Sequence, residues 1–442
     1  MAGSLHGSKF RYSIFALLFS IALINYIDRG ALPFAINDIS HEYGFSKVQI
    51  GAVLGYFGFG YLAGALFGGV LADKFGTRKV WLIVGILWSV VEILTAWAGN
   101  IGTFFFGSAL MGFALIRVIF GLCEGPAYPL MSKSIADWSP KKEKSLSLSF
   151  GLVSTQVGAL LTSPIAVFLL MVTKDWRVMF VCLGVLSIIF MLIFYVVFRN
   201  MPEEHSKVSA TELAYIKQDR EQELNADKLP WWSFFKNRTL MLNAFGYFTF
   251  LYITFTIVSW GPKYLQDTFH YNLNSLWYIA MIPWIGSTIT VVLGGYISDY
   301  LYRHFNLKIA RNVFACVMLC LTAACFVLIP QMTSATSIIA LIALGNACNA
   351  MVNNVYYSVI IDVSPNANVG SFSGFTLAIA NLASIIAPML SGWLAQYYSY
   401  NAIFYATAGI ALFSMCCMML IQPEKRIQLP ATKMGKALPL TH

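Results

Sequence analysis

Asp28 and Arg29 sit side by side in Asn25-Tyr26-Ile27-Asp28-Arg29-Gly30, near the end of an apolar run over residues 12–34. Arg117 and Glu124 lie in a second such run, over 103–132. Each ionisable group inside a bilayer costs about 2.5–3.5 kcal/mol by insertion scales, so such groups mark functional sites by default. A guanidinium can hold a carboxylate through two parallel hydrogen bonds. Burial and neighbouring charge act in opposite senses on a carboxylate's hold on its proton. Two acids beside two bases can therefore couple proton occupancy to anion binding. The spacing of Arg117 and Glu124 is two helical turns, which puts both on one face about 10.5 Å apart along the axis. Glu92 is a further acid inside an apolar run, expected to snorkel to an interface or make a structural hydrogen bond. All six histidines (His6, His41, His205, His270, His304, His442) fall in expected tails or loops. That leaves the carboxylates Asp28 and Glu124 to carry protons.

The second half of the chain has no comparable charges inside its apolar runs; Asp299 and Asp362 fall at helix ends. It offers amides and hydroxyls instead: Asn346, Asn349, Asn353, Asn354, Tyr356, Tyr357, Ser358, Ser371, Ser373 and Asn381. Charge in one half and neutral polarity in the other suit a substrate with a carboxylate at one end and hydroxyls along its body.

These residues need membrane helices to position them. Of the 442 residues, 58% are hydrophobic and 11% charged, where a soluble domain has about 25% charged. The hydrophobicity comes in blocks of about 20 residues bounded by Lys/Arg, Gly or Pro, the mark of a polytopic helical protein; a β-barrel would show alternating ten-residue segments. Twelve spans are expected, near 12–34, 47–72, 79–98, 103–132, 143–171, 177–198, 239–266, 274–301, 311–330, 335–361, 369–397 and 401–422. The first run is long for a signal peptide and lacks an A-x-A site, so it reads as a retained helix. Four of the 29 Lys/Arg fall in loops on one side (Lys47, Lys174, Arg177, Lys263), two lie within spans, and the other 23 are in or beside the opposite loops and tails. The positive-inside rule then places both termini in the cytoplasm of a multi-pass cell-membrane protein, a bacterial inner membrane being the expected setting. The net charge of +9 thus reports topology and not a nucleic-acid partner. The eight cysteines form no C-x-x-C pair and suggest neither disulfides nor a metal site.

One long hydrophilic stretch, 200–237, divides the spans six against six. Expected units are 1–199, a linker at 200–237, 238–422, and a tail at 423–442. Ser209-Ala-Thr-Glu212 resembles a capping box opening a surface helix that runs to about Gln222, in what reads as a solvated connector. The turn after the second span reads Gly69-Val-Leu71-Ala-Asp73-Lys74-Phe-Gly76-Thr-Arg78-Lys79. Its counterpart after the eighth has Gly294-Gly295, Asp299 and Arg303. A glycine, an acid and then bases at matched places indicate parallel repeats with a substrate between them.

The Gly69–Lys79 stretch resembles the cytoplasmic loop signature of the major facilitator superfamily, G-x-L-x-D-x-x-G-x-R-K. Asn25-Tyr-Ile-Asp28-Arg29 resembles the N-Y-x-D-R of its anion:cation symporter branch, and Arg117-Val-Ile-Phe-Gly-Leu-Cys-Glu124-Gly-Pro-Ala-Tyr-Pro129 that branch's fourth-helix signature. Bacterial hexuronate, galactonate and glucarate carriers are similar over essentially the whole chain. The resemblance implies an all-α integral membrane protein of two six-helix bundles related by a pseudo-two-fold axis, importing a sugar acid with a proton by alternating access. It implies no cofactor beyond the coupling proton, no nucleic-acid partner and function as a monomer in the lipid bilayer. It assigns proton coupling to Asp28 and Glu124, anion binding to Arg29, and gating to Gly69, Asp73, Gly76, Arg78, Lys79 and Asp299. Arg117, Tyr61, Gln156, Asn381 and Ser358 are further candidates for substrate contact, Arg117 alternatively an organiser of Glu124. Two positions depart from the sugar-acid pattern: Ala65 and Leu377 stand where polar amides are expected. Pro126, Pro129, Pro164, Pro283 and Pro388 are expected to shape helices. No H-E-x-x-H or G-x-S-x-G motif supports an enzyme. Sodium coupling, efflux, a non-sugar carboxylate, and a channel or receptor on this scaffold are the alternatives.

Overall fold

The computed structural model describes residues 9–140, 143–218, 229–365 and 368–427, apart from the side chains of 144–152 and 274. Every regular element among them is helical. The first half comprises α1 (Phe10–Tyr43), α2 (Lys47–Phe75), α3 (Thr77–Thr95), α4 (Ala98–Phe106), α5 (Ala109–Glu124), α6 (Ala127–Trp138), α7 (Lys144–Thr173) and α8 (Trp176–Val197). Two short helices follow, α9 (Ala210–Lys217) and α10 (Ser233–Lys236). The second half comprises α11 (Arg238–Phe269), α12 (Leu273–Ile279), α13 (Ile282–His304), α14 (Phe314–Leu328), α15 (Ala335–Val363), α16 (Val369–Asn381), α17 (Ala383–Tyr397) and α18 (Tyr400–Leu420). Eleven helical segments are long and apolar enough to cross a membrane, and the bent pair α3–α4 makes a twelfth. Apolar side chains such as Phe104, Phe168, Val172 and Val196 stand exposed around the outside, where lipid takes the place of a packed partner.

Three expected boundaries move. The run expected to open the fourth span at 103 instead belongs to α4, which turns 79° away from α3. Gly107, at φ +65°, ends α4, and Gly102 and Gly112 lie too close for a Cβ on either. Hydropathy sees one apolar stretch here; the glycines decide where it folds back. The first helix runs to Tyr43, well past residue 34, and His41 lies in its last turn. Lys263, expected in a loop, is buried inside α11.

Close helix contacts are built on glycine. α2 crosses α5 where Gly60 abuts Val118 O, Gly121 abuts Phe57 O, and a Cβ on Gly125 would fall 2.5 Å from Ala65 N. The second half repeats the device, with Gly294 of α13 against the Met351 backbone of α15. Small residues permit such approaches, which carry helix association where lipid is as apolar as the core. Proline marks a helix start in two places, Pro126 between α5 and α6 and Pro283 at the start of α13, whereas Pro164 and Pro388 lie inside the continuous α7 and α17.

The stretch expected to be a solvated connector is docked at both ends. Ser209 Oγ accepts from Glu212 N as an N-cap should. The Glu212 carboxylate, however, turns away from its own helix and accepts from the Phe10 and Arg11 backbone N–H groups at 3.1 and 3.0 Å and from the Arg11 guanidinium at 3.3 Å. It thereby caps the first turn of α1, where unsatisfied donors and the helix dipole favour an anion. Glu143 holds the other side of Arg11 at 3.1 Å. At the far end, Leu229 and Asn368 exchange two hydrogen bonds of 2.8 and 2.9 Å, and Trp231 and Phe234 pack on Phe375. The expected continuation of the surface helix to Gln222 lies outside the described residues.

The two halves meet most closely on the face away from residues 9 and 427. There Lys263 Nζ donates to Asn37 Oδ1 at 2.7 Å and to Asp267 at 3.2 Å, Asn37 also reaches Gln266, and Lys47 N donates to Gln396 at 3.1 Å. Gly51 of α2 lies directly on Pro388 and Gly392 of α17. Ser163 Oγ reaches Trp277 O at 2.9 Å. Toward the opposite face, the Tyr128 and Tyr357 hydroxyls stand 3.4 Å apart.

Two outcomes follow from these contacts. Glu212→Ala removes hydrogen bonds between charged groups and a helix terminus, each contributing about 1.5–3 kcal/mol. The purified protein should melt several degrees lower, whereas Ala at exposed Glu204 should leave the melting temperature unchanged. Lys263→Ala removes the charge-assisted link between the halves, and a loss of about 1.4 kcal/mol shifts a two-state population tenfold. Spin labels placed one on each half at that face should report longer distances in the variant.

Candidate functional site

The helical turn of 100° per residue sends neighbouring Asp28 and Arg29 in different directions. Asp28 points to α8, where Ser187 Oγ donates to it at 2.8 Å, and is 1% exposed. Arg29 points to α5: its Nε and one terminal N each donate to Glu124 Oε2 at 3.1 Å, and Asn25 Oδ1 accepts from it at 3.3 Å. The pair is sealed from solvent, with Arg29 7% and Glu124 0% exposed. Three rings surround the guanidinium, those of Tyr26, Phe57 and Tyr61 at 4.9, 4.6 and 4.6 Å, an arrangement that favours a cation electrostatically.

Local sequence explains this placement. Gly125-Pro126 separates α5 from α6, so the carboxylate is carried by the last residue of α5. The glycine crossing of α2 on α5 brings Phe57 and Tyr61 against Arg29. Gly30 lets α1 press on α7; a Cβ there would lie 2.8 Å from Thr162 Cγ2.

Arg117 does not pair with Glu124 although they share a face. Its guanidinium packs on Phe57 at 5.1 Å and Phe120 at 5.2 Å, it is 3% exposed, and its Nε has no hydrogen-bond partner. Phe57 thus separates two like charges and offers its π-face to both. Glu92 corrects the expectation of snorkelling or a structural hydrogen bond. It is 0% exposed, neither carboxylate oxygen has a partner, and the charges it faces are Asp28, Arg117 and Glu124. The cluster therefore holds three acids and two bases. Burial of Glu92 is not legible in its apolar run, because hydropathy does not tell a lipid-facing side from an inward one.

Two cavities meet at Arg29. The larger, about 870 Å³, lies between the halves and is lined by Tyr26, Arg29, Phe34 and Thr162 on one side and by Phe255, Val258, Trp284 and Ile342, among others, on the other. The smaller, about 330 Å³, has Arg29, Arg117, Phe57, Ser384 and Pro388 in its wall.

The amides of the second half are not the polar surface that the sequence suggests. Asn346 donates to Pro283 O at 2.9 Å, Asn349 to Phe250 O at 3.3 Å and Asn354 to Val291 O at 2.5 Å. They staple α15 to α11 and α13 inside the second half. Tyr356 bonds Ser414 at 3.0 Å. Polar residues in an apolar helix look alike in sequence whether they face a cavity or satisfy a neighbour's carbonyl.

The remaining candidates divide. Tyr61 belongs to the cluster through its ring. Gln156 accepts from Ser287 Oγ at 3.3 Å, bridging α7 to α13 across the halves. Asn381 donates to Leu377 O at the end of α16, and its own carbonyl accepts at 2.7 Å from Ser384 of the smaller cavity. Ser358 is half-buried on α15, about 24 Å along the axis from Ile342 of the larger cavity, and so is not gathered with the others. The loop motif ties neighbouring helices of one half together. Asp73 pairs with Lys133 of α6, Arg78 donates to Tyr195 O at 2.8 Å, and Asn200 Oδ1 accepts from Arg78 N at 2.8 Å beside Gly76, whose φ is +81°. Gly69 faces open space, and Gly68 makes the close contact with Pro126 instead. Lys79 is exposed. Asp299 stands 4.0 Å from Arg311, which also bonds Asp362 at 2.8 Å. The Arg311–Asp362 pair and the Asn37–Lys263–Asp267 contact escape sequence reading, because helix rotation and packing bring them together. Among the described residues no cluster of metal-ligating side chains occurs.

Comparison with known proteins agrees with this arrangement. The chain is 29% identical over 421 residues to the hexuronate transporter of Bacillus subtilis (strain 168), covering 94% of this chain and 96% of that one. It is 27% identical over 439 residues to the "Probable sulfoacetate transporter" of Cupriavidus necator, covering 97% of each. Its fold matches the crystal structure of a bacterial homolog of the human lysosomal transporter Spinster with a TM-score of 0.76, at 16% identity over 94% of this chain and 97% of that one. The pattern of the Major Facilitator Superfamily matches residues 18–377 and again 307–442. The chain belongs to the major facilitator superfamily and is a membrane transporter, not an enzyme.

Proposed function

We propose that this transporter carries an organic anion into the cell together with a proton, by alternating access between its two halves, 1–199 and 238–422. The observation that carries the reading is the buried Arg29–Glu124 pair, whose Arg29 lies in the wall of a cavity between the halves. Removing one partner of a buried ion pair costs about 3–5 kcal/mol, because the other is left charged and dry. Arg29 must therefore have an anion at every stage, either Glu124 or a substrate carboxylate. Protonation of Glu124 dissolves the pair and frees the guanidinium fork for the substrate, which binds it bidentately. When the substrate departs, Glu124 gives up its proton and pairs with Arg29 again.

Asp28, held by Ser187, is a second proton site adjacent in the chain but facing another helix. With Glu92 the cluster has one acid more than bases, so one proton balances it when empty. A bound monoanion calls for a second. The cycle then moves one proton per anion. Arg117 and Tyr61 shape the seat of Arg29, Gln156 and Asn381 lie at the edge of the moving interface, and Asp73, Arg78, Lys79 and Asp299 hold the loop ends that gating displaces. Gly76 supplies the turn that places Arg78, and Gly69 leaves room beside it.

Hexuronate and sulfoacetate, the substrates in the relatives' names, differ in their hydroxyls and share only an anionic group. That common group fits a single guanidinium. Sugar acids and hydroxyl-poor carboxylates therefore both belong in the first panel to try, and the anion is the feature the site reads. The basic loops support a reading with both termini in the cytoplasm, in a cell inner membrane, and the face closed by Lys263 then points outward. Each chain holds a complete site and works as a monomer.

Proteoliposomes with an imposed inward acid gradient should accumulate at least one of a panel of uronates, aldonates, aldarates and simple carboxylates, without sodium. No accumulation of any of them would overturn the reading. Glu124→Gln should abolish accumulation while counterflow of the same anion persists; normal accumulation by this variant would remove Glu124 from the coupling step. Arg29→Lys keeps the charge and loses the planar fork. Its KM for the transported anion should rise about tenfold or more, the equivalent of about one charged hydrogen bond.

A further inference from the structure

We infer that the anion bound at Arg29 has an apolar, hydroxyl-poor body. This rests on the proposed reading of Arg29 as the anion seat and specifies the rest of the substrate.

The charged group in the wall of the larger cavity is Arg29, and the wall facing it from the second half is Phe255, Val258, Trp284, Ile279 and Ile342. Of the hydroxyls in the wall, three have their protons committed: Thr162 donates to Gly158 O at 2.8 Å, Ser163 to Trp277 O at 2.9 Å, and Thr254 to Phe250 O at 3.0 Å, and Tyr26 beside Arg29 supplies the fourth. Three of the four α15 amides, those of Asn346, Asn349 and Asn354, donate to backbone carbonyls of α11 and α13.

A hexuronate ring would bring several hydroxyls, each needing a donor and an acceptor, into a wall that offers few. A buried polar group without a partner loses its hydrogen bonds to water and gains none in return. An apolar ring of the same size loses only its contact with water, which favours entry. A hydrophobic pocket discriminates against one added hydroxyl by up to about 100-fold, and several compound the difference.

Cyclohexanecarboxylate and D-glucuronate make a matched pair, each a six-membered ring with one carboxylate. Their binding to the full chain in detergent is compared by calorimetry below neutral pH, because the protonated apolar acid crosses lipid unaided. Cyclohexanecarboxylate should bind at least about tenfold more tightly, and Arg29→Gln should abolish its binding. Equal or tighter binding of glucuronate would overturn the inference while leaving Arg29 as the anion seat. Binding of neither would also overturn it, and the gradient-driven uptake panel then decides separately whether the symport reading stands.

Discussion

A dry guanidinium is costly to leave without an anion, and at Arg29, unlike Arg117 on its aromatic rings, that cost is met by a direct ion pair. Arg29 lies in the middle of an apolar helix at 7% exposure, with Glu124 as its ion-pair partner. A buried charge pair of this kind is weak evidence of stabilisation, since hydrophobic residues of equal volume commonly do as well or better. What it does provide is a choice between two arrangements of similar cost, Arg29 on Glu124 or Arg29 on a substrate. The surroundings keep those costs comparable. Phe57 and Tyr61 hold the cation from two sides, Asn25 takes one of its N–H groups, and Glu124 leaves one oxygen without a partner. A pair with every lone pair satisfied would be harder to part.

The helix architecture follows from the need to bring this pair together. α1 and α5 are 95 positions apart in sequence at the contact, and neither side chain reaches the other unless the helices between them pack closely. The crossing of α2 on α5 is therefore made of glycines, with backbone against backbone, and the break at Gly125-Pro126 leaves Glu124 at a helix end. The same crossing places Phe57 between the guanidiniums of Arg29 and Arg117. Glycine, proline and aromatic residues in this segment thus have a joint purpose, and a change in any of them is felt at the ion pair.

What sequence makes legible is of two kinds. Blocks of hydropathy locate eleven of the spans, because burial in lipid demands a minimum apolar length. Charges inside those blocks locate Asp28, Arg29, Arg117 and Glu124, because nothing but a partner or a cavity sustains them there. The rest depends on direction. The asparagines of α15 are visible as polar residues, but whether they face a cavity or the Pro283 and Phe250 carbonyls is a matter of helix rotation, to which periodicity is blind when all sides are apolar. Glu92 escapes sequence for the same reason. The linker escapes it for another: Glu212 is a charged residue in a charged segment, and its role as the cap of α1 arises from a contact 202 residues away.

The division of labour between the halves has a mechanical consequence. All three buried acids and both buried bases of the cluster ride on the first half, while the second half presents a largely apolar wall to them. When the halves rock, no charged hydrogen bond of the cluster need break, since none crosses the interface. The bonds that do cross on the closed face, around Asn37, Lys263 and Gln396, lie apart from the cluster. The electrostatic state of the cluster can then act on the motion only through what fills the cavity. An unpaired cation facing an apolar wall resists closure, because closing would take it out of water. A cation paired with Glu124, or with a carboxylate whose body fits that wall, does not. Coupling in such a design comes from the prohibition on burying one uncompensated charge, and the apolar half is what enforces it.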